Sequence, residues 1–312
     1  MPTSPIYLVV NAVAGKGDER TCSAIAEVLT AAGRAHEILQ VENPEQLADI
    51  AREAVANARQ NKGIVVAVGG DGTLNAVAQA TLGSGCAFGV IPQGTFNYFG
   101  RTHGISSDPA EAARALLSAH AVPVQVGLVN DRVFLVNASL GLYPQSLEDR
   151  EEQKQRHGRS RLVAAWAALV TVFRDYRPML IKLEHEGRAL EIPTLTLFVG
   201  NNRLQLEQIG LEKSAIVEEG KLMAILLRPV TTAALLWLML KGALGQLSQA
   251  QGVQHFSLSK LTATPIGGRV RRMKIAFDGE ISWMNTPIEF RVAPEPLLLL
   301  TPIGAVPETA SP

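Results

Sequence analysis

Three short segments rich in glycine, asparagine or threonine follow predicted buried strands in the first third of the sequence. They are Asn11–Asp18, Gly69–Thr73 and Pro92–Asn97. Glycine lets backbone N–H groups approach an anion closely, and a helix predicted to begin near Thr73 would point its positive end at the same place. Because ligands bind at the carboxyl ends of the strands in open parallel sheets, we expect the segments to converge on a phosphate site.

Asp71 would lie among groups that otherwise attract anions. A carboxylate in such surroundings needs a cation or a proton, and magnesium that bridges phosphates is the natural candidate. Thr73 and Thr95 would add hydroxyl donors. Each segment alone could equally be an ordinary turn, so the prediction of a nucleotide site depends on the three segments together.

The familiar phosphate and hydrolase motifs do not fit this sequence. The Gly15-Lys16-Gly17 segment is not a P-loop, because Val10 stands where the first glycine is needed and Gly17 stands where serine or threonine is needed. Arg20 likewise occupies the third glycine position of the Rossmann fingerprint. The chain has no G-x-S-x-G or H-E-x-x-H motif and its six histidines are scattered, so we expect neither a histidine-based triad nor a metal cluster.

Strand and helix periodicities alternate through the first 120 residues, which predicts an N-terminal α/β domain with a parallel sheet. The predicted strands are Ile6–Val10, Arg34–Val41, Ile64–Val68 and Cys86–Ile91. The intervening helices include Pro44–Gln60, whose apolar residues recur at helical spacing, and Asp108–His120.

Beyond about Val122 the pattern changes to strands without helices of matching length between them. Val124–Val129 and Arg132–Val136 flank Asn130-Asp131, which is a hairpin signal, and more alternating strands follow as far as Phe277. The pattern predicts a C-terminal antiparallel β-sandwich domain over residues 123–286. Residues 305–312 are predicted to be a disordered tail.

The bulk properties exclude some classes of protein. Lysine plus arginine and aspartate plus glutamate both number 29, so there is no basic footprint for a nucleic acid. The two cysteines, Cys22 and Cys86, have no metal-ligand spacing. We see no signal peptide, and the longest apolar stretch, Thr231–Leu247, is short for a membrane span and is interrupted by Lys241. The chain is therefore expected to be cytoplasmic.

Five blocks of the sequence carry a resemblance to the diacylglycerol kinase catalytic-domain family, which includes bacterial diacylglycerol kinases and sphingosine kinases. The blocks extend over nearly the whole chain and are Gly69–Asn75, Gly89–Asn97, Asn137–Gly141, Val199–Asn202 and Phe277–Glu280. The first two together, separated by about twenty residues, are the most specific part of the match.

The resemblance implies a two-domain lipid kinase. An α/β nucleotide domain over residues 1–122 would be completed by a returning segment, 287–304, and the sandwich would bind the substrate. The implied reaction transfers the γ-phosphoryl group of ATP, with Mg²⁺, to a lipid hydroxyl such as that of diacylglycerol. The enzyme would meet its lipid at a membrane surface as a peripheral protein, and a homodimer is left open as its assembly state.

The resemblance also implies roles for individual residues. The implied nucleotide-binding residues are Asn11, Gly15, Gly69, Gly70, Gly72, Thr73, Asn75, Gly94, Thr95 and Asn97. Asp278, Asp71 and Glu280 would be catalytic, and Asp71, Glu218 and Glu219 would hold the metal. We favour Asp278 as the proton acceptor, with Asp71 as its rival. Taken alone, the Asp278-Gly279-Glu280 segment is more typical of a turn at a strand end.

The sequence departs from the family at two positions where a carboxylate is expected. Ala76 stands where the family has glutamate, and Tyr98 stands where it has aspartate. These changes keep two alternatives open. One is a kinase of the same fold that acts on a non-lipid alcohol, and the other is a nucleotide-binding regulatory protein that has lost catalysis.

Overall fold

The structure is a computed structural model, and it describes residues 4–11, 19–141, 178–208, 210, 220–231, 234, 237–238, 241, 252–267 and 271–304. The chain divides into two compact units, the first formed by Met1–Val126 with Ala293–Pro312 and the second by Gly127–Val292. The predictions made for Gly15, Glu218, Glu219 and the tail 305–312 lie outside the described residues.

The first unit is built on a six-stranded sheet. Its strands are β1 Ile6–Asn11, β2 His36–Val41, β3 Ile64–Gly69, β4 Ala87–Pro92, β5 His120–Val124 and β18 Leu297–Thr301. The order across the sheet is β2-β1-β3-β4-β18-β5, and every neighbouring pair is parallel except β18 with β5. Strands β1, β3 and β4 are buried along their whole length, which explains their continuous apolar runs.

In the described part of the first unit, five α-helices accompany this sheet. They are α1 Glu19–Ala31, α2 Leu47–Gln60, α3 Asp71–Thr81, α4 Tyr98–Thr102 and α5 Pro109–Ser118. The predicted start at Pro44 is a 3₁₀ turn rather than α-helix, and the Asn43 side chain caps it by accepting a hydrogen bond from the Glu45 N–H. Helix α5 begins as predicted, with Asp108 as its N-cap and Pro109 in its first turn.

The described residues of the second unit form two antiparallel six-stranded sheets. Its strands are β6 Gly127–Val129, β7 Arg132–Phe134, β8 Asn137–Gly141, β9 Met179–His185, β10 Arg188–Thr194, β11 Thr196–Gly200, β12 Leu222–Leu227, β13 Val253–Leu258, β14 Lys260–Pro265, β15 Arg272–Phe277, β16 Glu280–Asn285 and β17 Ile288–Val292. One sheet has the order β10-β9-β14-β17-β6-β7, and the other has the order β13-β12-β11-β8-β15-β16. A short helix, α6 Arg203–Gln208, follows β11.

Side chains from both sheets of the second unit share one buried core. Phe134 and Phe290 come from one sheet, and Leu140 and Phe277 come from the other. This arrangement is a β-sandwich, so the predicted fold class of an α/β domain followed by an antiparallel sandwich is confirmed. The hairpin predicted at Asn130-Asp131 is also present, because Val129 pairs with Arg132 across it.

The chain passes between the units at points that strand periodicity alone did not predict. The predicted strand Val124–Val129 is divided into β5, which belongs to the first unit, and β6, which belongs to the second. The expected returning segment 287–304 also divides. Its first strand, β17, pairs with β14 and β6 and places Ile288 and Phe290 in the sandwich core. Only β18 joins the sheet of the first unit.

Among the described residues, no helix has both the length and the apolar character that crossing a bilayer requires.

Candidate active site

The ends of β1 and β3 are joined by a buried hydrogen bond. Asn11, the last residue of β1, donates from Nδ2 to Oγ1 of Thr73 over 3.1 Å, and both side chains are buried. Because β1 and β3 are parallel neighbours, their carboxyl ends meet at one edge of the sheet. The structure therefore brings together two of the residues that the sequence assigned to the nucleotide site, and it uses them to fix the start of α3.

The segments that follow β3 and β4 are in direct backbone contact. A Cβ atom placed on Gly94 would lie 3.0 Å from the Gly70 Cα and 2.9 Å from Oδ1 of Asn97, which is too close for a side chain. Gln93 also donates its N–H to the Gly69 carbonyl over 2.8 Å. Glycine at position 94 is thus required by contact distance, and the predicted convergence of these two segments is present in the fold.

Asn97 closes the second of these loops. Its backbone has a left-handed φ of 50°, and its Oδ1 accepts a hydrogen bond of 2.8 Å from the Gly94 N–H. Asparagine tolerates this conformation better than most residues and can bond locally while in it. Asn97 is buried whereas Thr95 is exposed, so Asn97 shapes the loop and Thr95 is accessible to a ligand.

Helix α3 begins beside these loops. Gly70 is its N-cap and supplies no side-chain cap, and Asp71 lies in the first turn. The N-terminal N–H groups of a helix attract negative charge, which stabilises the Asp71 carboxylate as well as a bound anion. The carboxylate at this position therefore has a stabilising partner in the helix itself, in addition to the cation that the sequence suggested.

An aromatic pair occupies the position where a carboxylate was expected. The Tyr98 ring stacks on Phe96 with centroids 5.7 Å apart, and Phe96 is 55% exposed. The Arg101 guanidinium lies 6.0 Å from the Tyr98 ring centroid. Of the residues predicted to hold a metal, only Asp71 is described, and the described ranges contain no group of three histidine, cysteine or acidic side chains suited to a metal ion.

The second unit contains a turn whose glycine is flanked by acidic residues. Asp278 and Gly279 have φ values of 47° and 88°, and they connect β15 to β16 where Phe277 pairs with Glu280. Positive φ at both central residues is the geometry of a tight two-residue hairpin, for which Asp-Gly is a preferred sequence. The interpretation of this segment as a turn at a strand end is therefore right for its backbone.

The Asp278 carboxylate is buried and held by backbone donors from a distant part of the sequence. Its Oδ2 accepts from the Leu135 N–H over 2.6 Å, and its Oδ1 accepts from the N–H groups of Val136 and Asn137 over 2.8 and 3.0 Å. The Asp278 N–H in turn donates to the Asn137 carbonyl over 3.0 Å. Both carboxylate oxygens are thus committed to fixing the hairpin against the segment that leads into β8.

The same end of this sheet collects the third and fourth motif blocks. The Val136 carbonyl accepts from the N–H groups of Asn201 and Asn202, which follow β11. The Asn137 amide Nδ2 donates to Oε1 of Gln205 on α6 over 3.0 Å. Sequence reasoning recognised these blocks by resemblance only. Their shared position at the ends of β8, β11 and β15 explains why amide side chains are placed there.

Glu280, the first residue of β16, differs from Asp278 because its side chain is exposed. Loss of water around its carboxyl group raises the pKa of Glu280, the positive charge of Arg132 opposes that rise, and the negative charge of Asp278 adds to it. Glu280 is therefore exposed as a residue, but its carboxyl group is partly shielded from water and binds a proton more strongly than that of an ordinary glutamate.

Part of the chain matches a known catalytic domain. Residues 5–129 match the family model described as the diacylglycerol kinase catalytic domain. This range contains the glycine loops after β3 and β4 but not the Asp278 turn. The match therefore covers the candidate phosphate site and ends at Val129, near the start of the second unit.

Curated relatives are similar over a longer stretch. Diacylglycerol kinases of Staphylococcus aureus, from strains JH9 and Newman among others, are 30% identical over 184 residues. That stretch is 57% of this chain and 55% of each relative, so the chain matches about half the length of these curated proteins.

Solved structures extend the similarity to the whole fold. One solved structure is of a Bacillus anthracis strain Sterne protein that is provisionally named a diacylglycerol kinase. It has a TM-score of 0.74 at 21% identity, with 97% of this chain and 99% of that chain covered. A further structure of a diacylglycerol kinase from the same strain has a TM-score of 0.69 at 20% identity, with 97% of this chain and 98% of that chain covered. The resemblance to the diacylglycerol kinase catalytic-domain family is thus confirmed, in sequence for residues 5–129 and in fold for almost the entire chain.

Proposed function

We propose that this chain is a lipid kinase that transfers the γ-phosphoryl group of ATP to a lipid hydroxyl such as that of diacylglycerol. The observation that carries the proposal is the packing of Gly70 against Gly94 beside the start of α3, within the segment that matches the catalytic domain. The two loops have no side chains where they meet, so backbone N–H groups lie next to the positive end of a helix. Phosphates bind in surroundings of this kind.

The nucleotide phosphates would bind to the backbone of Gly70 and Gly72 and to the exposed Thr95 hydroxyl. Asn11 and Asn97 would act indirectly, because the Asn11 side chain bonds Thr73 in the first turn of α3 and the Asn97 side chain closes the loop before α4. Magnesium, when bound, would neutralise charge on the phosphates, with Asp71 as a protein ligand. A magnesium ion held largely by phosphates needs only one or two protein carboxylates, so a single described acidic residue fits that demand.

Glu280 is the proposed proton acceptor, in place of the Asp278 favoured from the sequence. As the lipid hydroxyl oxygen bonds to the γ-phosphorus, the bond from that phosphorus to the ADP oxygen breaks, and the hydroxyl proton passes to the Glu280 carboxylate. Asp278 is less suited, because three backbone N–H groups already occupy its oxygens. The raised pKa of Glu280 suits a base that must also release its proton.

The proposal is tested by incubating the chain with γ-labelled ATP, magnesium and a panel of acceptors: a diacylglycerol, a sphingoid base, glycerol and a short-chain alcohol. Label in a lipid, and its near absence in Asp71→Asn at unchanged thermal stability, would support the lipid kinase. Label in a water-soluble alcohol alone would instead identify a kinase of the same fold with another substrate.

A regulatory protein that binds nucleotide without turnover is the second candidate, and it rests on the stacked Phe96 and Tyr98 rings where a carboxylate was expected. Calorimetry with ATP separates the two candidates. Clear ATP binding with no labelled acceptor would favour the regulator, and recovery of transfer in Tyr98→Asp would identify that position as the cause.

A further inference from the structure

An exposed tryptophan lies beside two basic residues on the outer face of the β15–β16 hairpin. Trp283 is 52% exposed and pairs across the hairpin with Lys274, whose Nζ is 5.3 Å from the ring centroid. Arg272 donates from Nη2 to the Trp283 carbonyl over 3.3 Å. We call the surface formed by Arg272, Lys274 and Trp283 the tryptophan face.

The alternation along β15 and β16 shows that this surface is turned away from the sandwich core. Ile275, Phe277 and Met284 belong to the buried core of the sandwich. Lys274 and Trp283 pair with each other and alternate with these core residues along the two strands, so they point to the opposite face of the sheet. Strand β16 is also the last strand in its sheet. Trp283 therefore exposes its indole ring beside Lys274 at the edge of this sheet, which places apolar and basic groups together on one small surface.

The charges on the hairpin are segregated along its length. Arg271, Arg272 and Lys274 lie toward its open end, and its two acidic residues, Asp278 and Glu280, lie at the turn. The whole chain carries a formal net charge of zero, so this basic cluster is a local feature. Its partner should therefore be anionic and should offer an apolar layer for the indole ring.

We propose that the tryptophan face binds the surface of a bilayer that contains anionic lipids. Tryptophan is favoured at the membrane–water interface because its ring is apolar and its N–H is polar. Basic side chains near such a surface each add about 1 kcal/mol of attraction, equivalent to about a fivefold gain in binding. The pairing of one indole with adjacent cations matches both components of that surface.

The proposal rests on the proposed function, because it supplies the way in which a lipid substrate is reached. Trp283 is three residues from Glu280 on the same strand, which is about 10 Å at the rise of an antiparallel strand. A protein that rests on the bilayer through the tryptophan face would hold the proposed proton acceptor within about the depth of a head-group layer. A lipid hydroxyl could then react while its acyl chains stay in the membrane.

Cosedimentation of the full chain with vesicles tests the proposal. The wild type should bind vesicles of phosphatidylcholine with 30% phosphatidylglycerol more tightly than vesicles of phosphatidylcholine alone. Trp283→Ala should weaken binding roughly tenfold because the ring no longer buries apolar area in the interface. The double substitution of Arg272→Gln and Lys274→Gln should weaken it about twentyfold and should reduce its salt dependence.

Trp237→Ala is the matched control, since Trp237 is 58% exposed and has Lys241 6.0 Å from its ring. The proposal requires Trp237→Ala to weaken vesicle binding less than Trp283→Ala does, and the reverse order would overturn it by assigning the membrane contact to the other tryptophan. Unchanged binding in Trp283→Ala, or a wild type that ignores anionic vesicles, overturns the proposal. A wild-type dimer that Trp283→Ala converts to monomer, measured by sedimentation without vesicles, would also overturn it by assigning the surface to a second copy of the chain.

The two proposals can fail separately. Phosphorylation of a short-chain, water-soluble diacylglycerol needs no membrane, so it should be equal in the wild type and in Trp283→Ala. Transfer to this substrate without vesicle binding would contradict the proposed membrane-binding surface and support the proposed kinase activity. Vesicle binding without transfer to any acceptor would contradict the proposed kinase activity and support the membrane-binding surface.

Discussion

The glycine loops of the first unit and the Asp278 turn of the second handle negative charge in opposite ways. At the loops, the contact between Gly70 and Gly94 removes side chains so that the backbone can receive an anion from outside. At the turn, backbone N–H groups of Leu135 and its two successors receive an anion that belongs to the protein, the Asp278 carboxylate. The comparison teaches that an acidic residue in a motif can be a structural ligand of the backbone while its neighbour remains free for chemistry.

The largest expected effect is the loss of phosphoryl transfer when Glu280, two residues after Asp278, is substituted. Glu280→Gln keeps the size and hydrogen bonding of the side chain but cannot accept the proton, so kcat should fall by roughly 10² to 10⁴. The melting temperature should stay close to that of the wild type because the residue is exposed. Steady-state transfer of labelled phosphate measures the first quantity and calorimetry the second, and a variant with near-normal kcat would remove Glu280 from the mechanism.

Substitution of Asp278 in the turn should lower the free energy of unfolding. Asp278→Ala leaves three backbone donors without their acceptor and places alanine at a φ of 47°, so we expect a loss of about 3 kcal/mol in the free energy of unfolding. Asp278→Asn keeps one carbonyl acceptor and tolerates the same backbone, so its loss should be smaller. Urea unfolding measures both.

Asp131→Asn is the control for the turn, since Asp131 lies in another two-residue hairpin turn and has a fully exposed carboxylate. It should change the free energy of unfolding by less than about 0.5 kcal/mol. If Asp278→Ala were as mild as this control, the carboxylate would not be the hydrogen-bond centre that the structure indicates.

Acid should weaken the first unit through His103, which packs edge-on against Phe99 near the loop closed by Asn97. Burial lowers the pKa of His103 to about 4, against about 6.5 in the unfolded chain. The unfolded state therefore binds the proton first as the pH falls, and the folded state should lose roughly 2 kcal/mol between pH 6.5 and pH 4.5.

The substitution His103→Phe should flatten the pH dependence over that window. Urea unfolding at several pH values, followed for each variant, measures the slope. Equal slopes in the wild type and His103→Phe would show that some other group controls the acid response.

The smallest expected effect is a loss of ATP affinity without a loss of stability. A Cβ atom on Gly70 would meet the Gly94 Cα at 3.5 Å, an ordinary contact, so Gly70→Ala should fold with an unchanged melting temperature. The added methyl group would lie where the backbone should approach phosphate, and we expect ATP affinity to fall about tenfold by calorimetry. Gly94→Ala, with contacts of 2.9 and 3.0 Å, should lose stability as well. Equal ATP affinity in Gly70→Ala and the wild type would place the nucleotide elsewhere.

Periodicity predicted the elements of both units well because buried strands and amphipathic helices have distinct local patterns. It could not predict which strands pair, since Ile288–Val292 looks equally suitable for either unit and only its neighbours β14 and β6 decide. The convergence of the loops after β3 and β4 followed from a general property of parallel sheets. The backbone donors to Asp278 did not, because they lie about 140 residues upstream and contribute main-chain groups that no sequence motif records.

The pH dependence of phosphoryl transfer tests the central claim most directly. With ATP, magnesium and diacylglycerol, kcat should rise with pH through the raised pKa of Glu280. Because the positive charge of Arg132 holds that pKa down, Arg132→Gln should move the rise to higher pH and leave the plateau rate close to that of the wild type. A wild type that phosphorylates no lipid, or a rise at the same pH in both proteins, would contradict the assignment of Glu280 as the proton acceptor of a lipid kinase.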